Sequence, residues 1–121
     1  MSIEQLVFLI EQLNEPIIVI DQQLSIVCYN KQSQEWFQYK PEEAIGQSIN
    51  ILIPFSLHSA HNQHAKKFMA DNAAPRRMIS RNSAIYGRRK DGYEFPISVS
   101  ISNMQLNDQQ CAIAIIDLPQ Q

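Results

Sequence analysis

The sequence predicts an α+β domain organised around an antiparallel sheet, and three stretches carry that prediction. From Tyr93 to Ser102, Phe95, Ile97, Val99 and Ile101 alternate with Glu94, Pro96, Ser98, Ser100 and Ser102. A period of two gives a strand one apolar and one polar face. Asp91-Gly92 stands just before it, and glycine takes the positive φ that a tight hairpin needs. A second extended stretch, Met78 to Tyr86, precedes that turn, so the pair reads as a long hairpin. The second stretch is Ile17-Ile18-Val19-Ile20, apolar on both faces and therefore read as a central, doubly covered strand. The third is Ile3, Leu6, Val7, Ile10 and Leu13, which recur at helical spacing.

In chain order, the amphipathic helix Ile3 to Leu13 ends before Pro16, because the residue preceding a proline avoids the helical region. Phe8 and Leu9 widen its apolar face beyond one core contact, which points to a partner surface. Asp21-Gln22-Gln23 turns the strand Ile17–Ile20 into a second one, Leu24 to Tyr29. Asn30 is a good N-cap for a helix from Lys31 to Tyr39, which directs Trp36 and Phe37 toward the core. Pro41-Glu42-Glu43 opens another short helix that Gly46 closes. Ile49 to Ile53 is a brief apolar segment halted by Pro54. Ser56 to Met69 reads as a helix with Leu57, His61, His64 and Phe68 on one face, flanked by Ala60 and Ala65. After the long hairpin, an Asn107-Asp108 turn leads into a last strand, Cys111 to Ile116.

At 121 residues the chain makes one domain, able to bury roughly two-thirds of its unfolded surface. A net charge of −2 gives no reason to expect nucleic acid or an anionic membrane as partner. The basic clusters, Arg76 to Arg81 and Arg88 to Lys90, read as solvated strand ends and turns. Cys28 and Cys111 sit in apolar strand-like runs and read as buried free thiols in a reducing cytoplasm. The start lacks a basic n-region and a long apolar run, so no signal peptide is expected, and no segment reaches transmembrane length.

Taken in order, several stretches resemble the PAS domain, the sensory box of bacterial signalling proteins. Glu15 to Asp21 looks like its first strand, and Asn30 stands where the family carries an Asn after its second strand. Phe37 to Gly46 resembles the aromatic-Gly-Tyr-x-x-Glu-Glu-x-x-Gly stretch, with Gln38 in place of the first glycine. Leu52-Ile53-Pro54 and Gly87 to Pro96 are similar to its Leu-Ile/Met-Pro and Arg-Lys/Arg-Asp-Gly turn motifs. Ile115 to Leu118 resembles its closing Asp-Ile-Thr element, with Leu118-Pro119 in place of Ile-Thr. The resemblance implies a five-stranded antiparallel sheet with short helices enclosing a pocket on one face. It divides the chain into an N-terminal helix, 1–13, the domain itself, 14–118, and the start of a linker, 119–121. It implies a non-enzymatic sensory or dimerisation role, as in two-component systems. The output would be a histidine kinase, a diguanylate cyclase or phosphodiesterase, or a transcriptional regulator.

Candidate site residues follow. A small ligand would sit between the sheet and the helix bearing His61 and His64, lined by Trp36, Phe68, Ile85 and Ile97. The signal would leave at Asp117. No cofactor is the leading reading, and haem is the sharper one. In the haem PAS domains of rhizobial oxygen sensors a helix histidine seven residues after the Leu-Met-Pro proline holds the iron, and His61 stands at that offset from Pro54. Arg81 on the following strand is the candidate partner for an iron-bound gas, although the Asp91-Gly92 anchor puts Ser83 in that place. The alternative is a histidine packed with Leu57 and Phe68 that bonds a backbone carbonyl. His58, His61 and His64 are too few for a structural zinc, and neither cysteine has the helical context of a flavin photoreceptor. The competing reading is a ligand-free module that dimerises through the N-terminal helix and the sheet.

Overall fold

In the computed structural model, residues 1–78 and 85–119 are described. Helix α1, Ile3–Ile10, begins at Ser2, whose hydroxyl accepts from the Gln5 N–H while the Gln5 side chain accepts from the Ser2 N–H. It is shorter than the apolar period suggests. The N–H groups of Gln12 and Leu13 turn to Leu9 and Ile10, three residues back, and tighten the last turn out of α geometry. Strands β1, Ile17–Ile20, and β2, Ile26–Tyr29, pair antiparallel. Helices α2, Lys31–Phe37, and α3, Pro41–Ala44, follow. Gly46, just past α3, takes φ 93°. Two short 3₁₀ turns, Ile49–Leu52 and Phe55–Leu57, lead into α4, His58–Ala70.

The remainder is sheet: β3, Arg76–Arg77, β4, Ile85–Arg88, β5, Glu94–Leu106, and β6, Gln109–Asp117. The strand order is β2-β1-β6-β5-β3, with β4 also on β5. The sheet is open and antiparallel. Among the described residues it counts six strands where the sequence suggests five, because β3 and β4 pair with successive stretches of β5, Ser100–Ile101 and Glu94–Ile97. Gly92 has φ 93° in the β4–β5 loop, where the Asp91 carboxylate accepts from the Tyr93 N–H. Asn107 and Asp108 both have positive φ, the geometry of a two-residue hairpin turn, here joining β5 to β6.

Strand β1 is buried along its whole length because the sheet is covered on both sides. On one side Leu6 and Ile10 of α1 pack with Ile17, Val19, Cys28, Leu106 and Cys111. On the other, Ile18 and Ile20 join Phe37, Leu52, Met69, Ile97 and Ile116 under the helices. Each such aliphatic side chain removed from water contributes about 1.5–3 kcal/mol. Cys28 and Cys111 are free and buried. Burial pushes the Cys28 thiol up to about 11 and raises that of Cys111, so both stay protonated and unreactive.

Candidate functional site

The face of the sheet opposite α1 does not close completely. Between it and α4 lies a cavity of about 720 Å³, within the range of small-molecule sites. Its floor is the inward side of β1, β5 and β6, with Ile18, Val99, Ala112 and Ala114 among the lining residues. Its roof is the α4 face read from the sequence: Leu57, Ala60, His61, His64, Ala65 and Phe68 all border it. The C-terminal end of α4 is tied to the β5–β6 hairpin. The Asn103 amide donates to the carbonyls of Phe68 and Ala73, each at 3.0 Å, and the Gln110 amide donates to that of Met69. Side chains of the β5–β6 hairpin thus take up carbonyls that the end of the helix leaves without intrahelical donors.

The three histidines of α4 have different surroundings. His58 lies 2.8 Å from the Ile53 carbonyl through Nε2 and against the Phe55 ring. His64 borders the cavity but is exposed. His61 also borders the cavity, and its Nδ1 is buried with no hydrogen-bond partner among the described residues. Burial, reinforced by His64 and His58, pushes His61 down to about 4, so it is a neutral imidazole at neutral pH. No group of three or more potential metal ligands comes together among the described residues.

Of the remaining sequence candidates, Phe68, Ile85 and Ile97 border the cavity. Trp36 is not among the lining residues, and Phe37 is. One residue along a helix is a rotation of about 100°. That step buries Phe37 under β4, with its ring centroid 5.5 Å from that of Phe95, and sets Trp36 edge-on to Phe95. The close fit needs Gly87, where an added Cβ would lie 2.9 Å from Phe37 Cε1. Asp117 is the exposed last residue of β6, one step beyond buried Ile116 on the cavity floor. Arg81 and Ser83 lie outside the described residues. Arg76 and Arg77 are exposed on a short strand, as the sequence suggests, and they also border the cavity, which it does not. The signal for Arg76 is register, since it pairs with Ile101 on the cavity face.

Comparison with known proteins agrees with this architecture. A family model described as the PAS fold matches residues 4–117. Sensor protein FixL of Bradyrhizobium diazoefficiens is 31% identical over 91 residues, 75% of this chain and 18% of that protein. A probable serine/threonine-protein kinase of Dictyostelium discoideum is 25% identical over 105 residues, 87% of this chain and 7% of that one. The chain therefore spans under a fifth of the length of either curated relative. Among solved structures, a PAS domain from Colwellia psychrerythraea superposes with a TM-score of 0.76 at 21% identity, covering 96% of this chain and 95% of that one. No helix among the described residues is long and apolar enough to cross a membrane.

Proposed function

The chain belongs to the PAS family, a sensory rather than a catalytic fold, and from that premise we propose that it senses a small, mainly apolar molecule held between the sheet and α4. The observation that carries this reading is the cavity itself. Protein interiors are normally packed to crystal density, and unfilled volume forfeits dispersion contacts. A ligand restores those contacts, and a module that only binds other proteins has no use for the space. Bound ligand would then bias β6, whose Ala112, Ala114 and Ile116 face it, and through Asp117 an attached output region such as a kinase, a cyclic-dinucleotide enzyme or a regulator. A native mass spectrum of the purified domain tests the first step, with added mass as the expected result. An apo mass that stays apo after incubation with apolar small molecules would overturn it. Amide exchange in β6 that ignores bound ligand would count against the route through Asp117.

One atom favours a second reading. The Nδ1 of His61, buried with no partner among the described residues, belongs to a neutral imidazole on an apolar wall, the ligand type haem iron takes. The residues fit the group: His61 would hold the iron, with His64 beside it on the roof. Haem would supply reversible gas binding or a redox change. Hemin titration should give a Soret band that His61→Ala abolishes and His64→Ala keeps. Absence of the band, or its survival in His61→Ala, removes this reading.

The same proposal has the domain pairing with a second copy through α1 and the sheet. Its support is the outward face of α1, where Phe8 is 72% exposed beside half-exposed Leu9 and Val7. Phe8→Glu should halve the mass seen by light scattering. This variant is cleaner than deleting residues 2–13, which would also remove Leu6 and Ile10 and uncover Ile17, Val19 and Leu106 on the sheet. A wild-type monomer, or an unchanged dimer in Phe8→Glu, would sink the pairing.

A further inference from the structure

The cavity is apolar, but its charge is one-sided. Not one aspartate or glutamate borders it among the described residues, whereas Arg76 and Arg77 do. Arg76 is the better placed of the two. It pairs across β3–β5 with Ile101, which faces the cavity, while Arg77 pairs with exposed Ser100. The Arg76 guanidinium sits 5.1 Å over the ring of Phe68, itself part of the roof. That stacking orients the planar group without using its hydrogen-bond donors. Nor is the charge already matched among the described residues. The ion pairs among the described residues are Arg89–Asp91 within the β4–β5 loop and Lys90–Glu43 between that loop and α3.

We propose that the cavity takes a molecule with an apolar body and one anionic head, a carboxylate or phosphate, and that Arg76 at the mouth holds the head. This rests on the ligand-cavity reading above. Arg76 is exposed, so the head would remain partly hydrated and its pairing would carry only a modest desolvation cost. The guanidinium fork suits either anion through two parallel bonds. The aliphatic floor would take the chain, with neutral His61 adding no second charge deeper in.

The test is displacement of a neutral fluorescent probe, N-phenyl-1-naphthylamine, by dodecanoate, dodecyl phosphate and 1-dodecanol. At least one anion should bind about tenfold more tightly than the alcohol, and the tighter of the two names the head. Arg76→Gln should bring the anions down to the alcohol's affinity and leave the alcohol unchanged. Arg88→Gln, on β4 and off the lining, should change nothing. Anions no tighter than the alcohol, or a preference that survives Arg76→Gln, overturn the role of Arg76 while the cavity reading stands. If neither probe nor alcohol binds, the cavity reading itself fails and this inference with it.

Discussion

Asn30→Ala should lower the unfolding free energy by about 4 kcal/mol, the largest stability effect expected of a single polar side chain here. Asn30 is fully buried. Its Oδ1 accepts from the Ile17 N–H at 2.9 Å, the Ser33 N–H at 3.1 Å and the Ser33 hydroxyl at 2.8 Å. Its Nδ2 donates to the carbonyls of Ile10 and Glu15, each at 3.0 Å. One side chain therefore joins the end of α1, the start of β1 and the first turn of α2. Alanine removes the cap, worth about 1 kcal/mol, and strands buried backbone donors at about 1–3 kcal/mol each. The Glu15 carbonyl can turn to water, which keeps the sum below the full count of bonds. Urea unfolding with an unchanged slope is the measurement. Asn30→Asp keeps the acceptor but sets a carboxylate oxygen against two carbonyls. The fold then disfavours the charged form and raises that carboxyl's pKa, so this variant should recover stability as pH falls. A loss below about 1 kcal/mol in Asn30→Ala would mean that water replaces the amide.

Some of this was legible residue by residue. The four β-branched residues of β1 announced a strand covered on both sides, and both covers are present. Asn30 read as a cap and is one, but its reach to Ile10 and Glu15 was not readable, because those contacts join residues 20 and 15 positions apart. The α4 face was legible since helical period alone selects it. Helix α2 is only seven residues long and carries adjacent aromatics, so period could not say whether Trp36 or Phe37 turns inward. Arg76 was hidden for a different reason. A charged residue on a two-residue strand looks solvated until its cross-strand partner is known. The amides of Asn103 and Gln110 gave no signal either, as polar residues on a long strand are ordinary.

Ala114→Phe should abolish ligand binding, by about a hundredfold or more, while leaving the ligand-free domain as stable or more so. Ala114 lies on the cavity floor, paired with Ile18 of β1 and Ile101 of β5. All three side chains face the same space, so a benzyl group there stands where a ligand's body would lie. An aromatic residue suits a strand position with cross-strand aliphatic neighbours. The sign of the stability change is the informative part. If the cavity is open in solution, its volume exceeds what one side chain adds. The ring then buries apolar surface at a gain of about 1 kcal/mol and raises the midpoint by roughly 5 °C. If instead the core closes on itself and the domain acts only by pairing with other proteins, the ring overpacks it. Stability then falls by about 1–3 kcal/mol. Thermal unfolding of the apo protein therefore separates a sensor from an interaction module without knowledge of the natural ligand. The binding arm, read by displacement of the neutral probe, ties the change to the cavity rather than to the fold.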